Sequence, residues 1–202
     1  MKKIKPEWLT TARAALDSFA EIPNEEWEKA ILNLRHIHLK KNEYFIQAGS
    51  FPDKIACIVS GIFRVFYNTE SGKEKILAIR GEGRMLSAFS AILENTPSWY
   101  DIQALEDSDL LYIGLDQYTN RLLEHPCWQI INAKYAQMLF VEKERRESEF
   151  LSDDAETRYK KFRERFLGME DRIHQYHIAS YLGITPVALS RIRKKMRENE
   201  MY

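Results

Sequence analysis

Apolar positions recur at helical spacing over residues 6–20, where Trp8, Leu9, Ala12, Leu16 and Phe19 share one face. A second short helix is expected after Pro23, with Glu25 and Glu26 in its first turn, where the helix dipole favours negative charge. From about residue 34 the period changes. Short runs rich in Ile, Val, Phe and Tyr follow at Tyr44-Phe45-Ile46, Ile55–Val59, Ile62–Tyr67, Lys75–Ile79, Ile102–Leu105 and Leu110–Ile113. Turn residues separate the first of them: Ala48-Gly49-Ser50, Ser60-Gly61, Glu70-Ser71-Gly72-Lys73 and Gly81-Glu82-Gly83. Many short strands with regular turns imply an antiparallel sandwich or barrel-like roll. A helical turn over Met85–Glu94 interrupts the series, which a plain sandwich does not need.

From about residue 116 the pattern is helical again. Gln117–Leu123 reads as a short helix, and a long one runs from Cys127 to about Leu151. Ile131, Tyr135, Met138 and Glu142 lie on one seam of it, with Trp128, Leu139 and Val141 adjoining. Spacings of four, three and four suit a coiled-coil-like face and make this a candidate dimerisation helix. A helix packed only on its own roll would show the same spacing. The run Glu142–Glu147, with alternating signs, reads as a solvated face. Ser152-Asp153-Asp154-Ala155 reads as a hinge with an N-cap, followed by a helix over Ala155–Phe166 that ends near Gly168.

The densest local signal lies at 174–197. Ala179 is small enough for a second helix to cross close by. Gly183, four residues on, suits a turn with positive φ. Ile184 plugs the space between the helices, Thr185 is placed to cap the second helix, and Pro186 stands at its first position. Leu189 and Ile192 face inward with Ile178 and Leu182, which leaves Pro186, Val187, Ser190, Arg191, Lys194 and Lys195 outward or on the flanks. This is the layout of a helix-turn-helix, whose second helix enters the DNA major groove. Arg191 is the candidate for base reading, because a guanidinium bonds both O6 and N7 of guanine. Thr185 and the free N–H groups of the first turn suit a phosphate, and Arg193, Lys194, Lys195 and Arg197 supply backbone-directed charge. An ordinary pair of packed helices is the alternative.

Charge strengthens that reading. The 202 residues balance at 30 basic and 30 acidic, but residues 155–202 hold 11 Lys and Arg against 6 Asp and Glu, while residues 1–154 hold 19 against 24. A basic tail unit on an acidic body points to a polyanionic partner. No apolar run approaches the length of a membrane span, and no apolar secretory segment follows the basic start Met1-Lys2-Lys3; a cytoplasmic protein is expected. Cys57 and Cys127 have no metal-ligand spacing and read as buried thiols. His36, His38, His125, His174 and His177 form no convincing metal set, and His174 and His177 read as surface or phosphate-facing. Paired carboxylates, a nucleophile–base set and a phosphate-cradling loop are all missing from the pattern, so an enzyme is not expected.

Taken together, the order of elements resembles the Crp/Fnr family of transcription regulators over nearly the whole chain. Leu182-Gly183-Ile184-Thr185 and Leu189-Ser190-Arg191-Ile192 carry the most specific likeness. The resemblance implies an α+β fold. A sensor domain over residues 1–125 would hold an antiparallel β-roll of the jelly-roll or double-stranded β-helix type, like a cyclic-nucleotide-binding domain. A dimerisation helix and hinge would follow over 126–153, then a helix-turn-helix domain over 154–202. It further implies a homodimer on double-stranded DNA, acting with RNA polymerase. Two departures stand out. The family's recognition helix often reads E-x-x-S-R, and Val187 takes the Glu position here, so a different target sequence is expected. The family's C-terminal β-hairpin wing has no counterpart before Met201-Tyr202, an ending similar to that of Bacteroidetes-type regulators.

The sensor departs further. Members that bind cyclic AMP use a Gly-Glu pair for the ribose and, about ten residues on, an Arg-Ser pair for the phosphate. Ser87-Ala88 stands at the first place, and Ser98-Trp99, or Trp99-Tyr100 after a one-residue slip, at the second. Neither carries the cation a buried phosphate needs, and neither Arg80 nor Arg84 stands at the matching position, so cyclic AMP is not expected. Met85, Leu86, Ser87, Ala88, Phe89, Ser98, Trp99 and Tyr100 remain as an apolar, aromatic pocket for some other effector, or as filled core. Residues 1–56 hold no cysteine for the iron–sulfur cluster of oxygen-sensing relatives, and no cofactor is expected. A ligand-sensing or protein-interaction module with a degenerate DNA-binding domain is the alternative function.

Overall fold

The computed structural model describes residues 4–70 and 72–200. The basic start at Met1-Lys2-Lys3, Ser71 in the third turn, and the closing Met201-Tyr202 lie outside the described residues. Helices α1 (Pro6–Asp17) and α2 (Asn24–Asn33) precede strands β1 (Arg35–Leu39), β2 (Tyr44–Ile46), β3 (Lys54–Ser60), β4 (Phe63–Asn68), β5 (Glu74–Arg80) and β6 (Met85–Leu86). Helix α3 (Phe89–Glu94) separates these from β7 (Asp101–Ala104) and β8 (Ser108–Gly114). A single turn, α4 (Leu115–Gln117), runs into a π-type turn over Tyr118–Leu122. Then come α5 (Pro126–Ser152), α6 (Ala155–Arg165), a 3-10 turn over Glu170–Arg172, α7 (Gln175–Leu182) and α8 (Pro186–Glu200).

The strands form two antiparallel four-stranded sheets, ordered β1-β8-β3-β6 and β2-β7-β4-β5. Ile58, Phe63, Leu86, Ile102 and Leu110 fill the space between them. Both sheets are also covered outside, and this explains why a central strand such as β3 reads as an almost unbroken apolar run. In β3, Ala56 and Ile58 join the inner core, while Ile55, Cys57 and Val59 pack on the other side with Trp27, Trp128 and Ile131 from α2 and α5. In β4, Phe63 and Val65 point inward, while Phe66 lies under Tyr159, Phe162, Phe166 and Tyr181 from α6, its end and α7. One turn shows how close the packing is: Gly61 has φ +107°, and a Cβ there would stand 2.0 Å from Ser108 Oγ.

The α+β roll expected from the pattern is present, with differences in detail. Met85-Leu86 pairs with Cys57 and Ala56 as a strand, so the helical turn begins only at Phe89. Residues 118–122 form a π-type turn rather than a plain helix. Strand β1 has a polar edge in which Asp109 is engaged by both His36 (2.7 Å) and His38 (3.1 Å).

The C-terminal helices are docked on the roll. Strand β5 is an edge strand, and its register against β4 shifts between Val65 and Phe66. Helix α7 and α5 occupy this edge: the Ile76 amide donates to Ser180 Oγ (3.3 Å), Ser180 Oγ donates to the Glu74 carbonyl (3.3 Å), and the Ile76 carbonyl accepts from Arg146 (2.9 Å). An exposed strand edge invites unwanted pairing, and here the chain's own helices cover it. Arg172 adds ion pairs to Glu82 and Glu106 of the roll.

Candidate nucleic-acid interface

Local chemistry builds the C-terminal helical unit from its caps outward. Asp154 accepts from the Thr157 amide (2.8 Å) and starts α6, as the hinge reading expects. The His174 ring accepts from the Tyr176 amide (3.3 Å) and starts α7. Gly183 closes α7 at φ +70°, and the Ile184 amide reaches back to the Ala179 carbonyl (3.0 Å). Thr185 Oγ1 then accepts from the Ala188 amide (3.1 Å) and caps α8. Ile178, Ala179, Leu182 and Leu189 are fully buried between the helices, with Ile192 and Met196 packed against them.

This arrangement turns one face of α8 outward. Thr185, Pro186, Val187, Ser190, Arg191 and Lys194 are all exposed. Val187, Ser190, Arg191 and Lys194 follow one another at i, i+3, i+4 and i+7, the stripe of one helix face. Arg191 has no ion-pair partner among the described residues. Two other cations of the expected set turn elsewhere. Arg193 is half-buried and paired with Glu170 (3.4 Å), and Lys195 reaches Glu156 (2.7 Å). They sit on opposite flanks of α8, Arg193 towards the 3-10 turn and Lys195 towards α6, so they pair within the unit rather than extend the exposed stripe. A groove of about 650 Å³ opens beside the start of α8 and is lined by His174, Gln175, Tyr176 and Pro186 among others. Gln175 and Tyr176 were not singled out in the sequence, although a first helical turn with free N–H groups is the signal that finds them.

His177 is not on the surface. It is half-buried under β4, with Nδ1 3.4 Å from Arg64, whose guanidinium binds Glu74 (2.9 Å) and Gln103 (2.8 Å). Burial, and then the Arg64 charge, pull the His177 imidazole down to about 4 from an ordinary 6.5. Above pH 6.5 the ring is neutral in both folded and unfolded chains and contributes no pH dependence. As pH falls from 6.5 towards 4 only the unfolded chain takes up the proton, so the folded state loses stability. Urea midpoints at pH 7 and pH 4.5 are expected to fall less for His177→Gln than for the wild-type chain; parallel falls contradict this.

Residues 36–125 match the cyclic nucleotide-binding domain family. This segment is similar to cyclic nucleotide-binding domains. No curated protein sequence matches the chain. Solved structures share the fold across both units. The c-di-GMP-responsive global regulator CLP of Xanthomonas campestris is 13% identical, with 88% of this chain and 93% of that one covered at a TM-score of 0.71. FixK2 of Bradyrhizobium japonicum is 16% identical, with 83% and 86% covered at 0.72. A putative Crp/Fnr-family transcriptional regulator of Eubacterium rectale is 17% identical, with 88% and 85% covered at 0.70. The fold is therefore that of Crp/Fnr-type regulators.

Within the roll, the eight expected pocket residues are divided. Leu86 and Ala88 belong to the inner core, and Met85 to the cluster beneath α5. Ser87 and Ser98 are buried, and Phe89 meets Tyr135 edge-on at 5.4 Å. Tyr100 meets Tyr67 edge-on at 6.0 Å. Trp99 is 59% exposed and turns away from them. The reason is local: backbone bonds from Gly49 to Ser98 and from Ser98 to Ser50, both 2.8 Å, turn Ser98 inward and so turn its neighbour out. Side chains thus fill this region. Its nearest cations are also taken, because Arg80 (2.8 Å) and Arg84 both bind Glu142 of α5.

That contact corrects the expected dimer seam. Ile131 and Tyr135 are buried in the chain's own core, Met138 packs against it, and Glu142 faces Arg80 and Arg84. The seam grips the protein's own roll. The outward side of α5 is a different stripe, on which Ile130, Phe140, Val141 and Leu151 remain exposed. Among the described residues, no group of three or more His, Cys, Asp or Glu is placed to hold a metal ion, and no helix is long and apolar enough to cross a membrane.

Proposed function

We propose that this chain is a transcription regulator that binds double-stranded DNA as a homodimer in the cytoplasm, acts with RNA polymerase, and carries out no catalysis. One observation carries the reading. The stripe Val187, Ser190, Arg191 and Lys194 is exposed and cationic, while the back of the same helix is locked by buried Leu189. A helix presented this way, at the second position of a helix-turn-helix, is built for base edges. Thr185, Gln175 and Tyr176 lie beside it where phosphates would pass. Two reading helices must stand about 34 Å apart to meet successive half-sites. The exposed stripe of α5, with Ile130, Phe140 and Val141, is the face on which we seat the second copy.

The sensor is unsuited to cyclic AMP, because Ser87-Ala88 and Ser98-Trp99 offer no cation and Glu142 already occupies Arg80 and Arg84. Its effector would be another molecule, or none.

Duplexes selected from a random pool supply the test. Arg191→Ala is expected to lose about 1–3 kcal/mol of affinity per half-site for the selected duplex. Affinity for an unrelated duplex, which depends on salt and phosphate charge, should change little. A sensor or protein-interaction module with a degenerate DNA head is the second reading. The pairing of Arg193 with Glu170 and of Lys195 with Glu156 favours it, since both remove charge from the head. Binding that stays weak, non-specific and salt-labile for every duplex would establish that reading instead.

A further inference from the structure

The charged run Glu142–Glu147 is only partly solvated. Arg146 lies one turn beyond Glu142 on α5 and points the same way, into the protein. Its guanidinium stacks over the Tyr181 ring, 4.0 Å from the centroid, and stands 4.9 Å from that of Phe150. Its Nη2 donates to the Ile76 carbonyl on β5 (2.9 Å) and to the Tyr181 carbonyl in the last turn of α7 (2.7 Å). No carboxylate forms an ion pair with it among the described residues.

Three elements therefore meet on one nitrogen: the long helix, the edge strand of the roll, and the first helix of the helix-turn-helix pair. The two acceptors are ones that regular structure leaves over. Ile76 lies at the register shift on the free edge of its sheet, and Tyr181 lies in the last turn of a helix, where carbonyls lack partners. A planar guanidinium held between ring faces fixes direction as well as distance.

We infer that Arg146 is a positioning residue for DNA reading, setting the angle at which α7, and α8 behind it, stand on the long helix and the roll. This rests on the regulator reading above. Base contacts demand a fixed register between two half-sites, whereas phosphate attraction tolerates tilt. Loosening the joint should therefore cost specific binding and spare non-specific binding, a split that simple unfolding does not give.

Arg146→Met keeps the stem and its packing but removes both hydrogen bonds; Arg146→Gln can keep one. Hydrogen exchange is read at Ile76, through α7, and at Ile58 and Leu111 in the core strands. Affinity is read on a duplex selected by the wild-type chain and on an unrelated duplex. For Arg146→Met the expected result is lost protection at Ile76 and α7 with Ile58 and Leu111 unchanged. Affinity for the selected duplex should fall about tenfold or more, with none lost on the unrelated duplex, and Arg146→Gln should lie between. If the Met variant loses protection throughout, the Gln variant decides by the same pattern. Unchanged exchange at Ile76 and α7 overturns the joint. Raised exchange with full affinity for the selected duplex overturns the positioning role. If the wild-type chain selects no duplex, the regulator reading fails and the role falls with it, while the exchange data still decide whether Arg146 clasps the two units.

Discussion

Phe162→Ala is expected to cost about 3–5 kcal/mol, the range for deleting a buried aromatic ring. Phe162 is 1% exposed and lies at the centre of the cluster that joins the C-terminal helices to the second sheet. Its ring centroid stands 4.9 Å from that of Phe166, 5.6 Å from Tyr181 and 6.5 Å from Tyr159. Removing it leaves a void bounded by stiff rings and by Phe66, Ile76 and Ile79 from the strands, which cannot collapse far. Urea unfolding at 25 °C measures the loss, and near-ultraviolet circular dichroism should weaken with it. A loss below about 1 kcal/mol would mean that the docked arrangement is not what stabilises this unit.

The second large effect is at the turn of the helix pair. Gly183→Ala meets two penalties. The residue sits at φ +70°, a left-handed conformation that costs an ordinary residue roughly 1–2 kcal/mol. The new Cβ would also stand 2.6 Å from Phe150 Cε1, so the ring at the end of α5 must move. About 2–4 kcal/mol in all is expected, seen as a melting temperature lower by about 2–4 °C for each kcal/mol in a chain of this size. Because the turn sets the crossing of α7 and α8, affinity for a selected duplex should fall further than stability alone accounts for. A variant as stable as the wild-type chain would contradict the close contact between this turn and α5.

The C-terminal pair of helices, α7 and α8, was legible in the sequence because its signals are local. Thr185 as cap, Pro186 at the first position, and Gly183 at the turn each act within four residues, and each is found doing so. The roll was legible from its alternating short runs. The two strands that were missed lacked that signal: Met85-Leu86 is too short, and in β1 the polar His36 and His38 break the apolar pattern to meet Asp109. The long helix shows a deeper limit. A helix covered by its own roll on one side and left apolar on the other has two stripes, and spacing alone cannot say which faces inward. Ile131 and Tyr135 form the more regular stripe because a packed core is more demanding than an exposed face. The run Glu142–Glu147, which holds both Glu142 of the seam and Arg146, reads as solvated for a related reason. Alternating charge is the usual mark of a surface, and their partners, Ile76 and the two arginines Arg80 and Arg84, lie some 60 to 70 positions away in the chain. Trp99 shows the same limit at short range, since one buried serine beside it decides its direction.

The most direct measurement compares the duplexes selected from one random pool by the wild-type chain and by Arg191→Gln. A guanidinium pairs with guanine and a carboxamide with adenine, so the substitution should rewrite one base pair and leave the rest. The expected result is a two-fold symmetric site, with half-sites about 34 Å apart, in which a single position per half-site changes from guanine towards adenine. The same site for both proteins, or a change at one half only, would contradict an Arg191-bearing helix in the groove of each half-site.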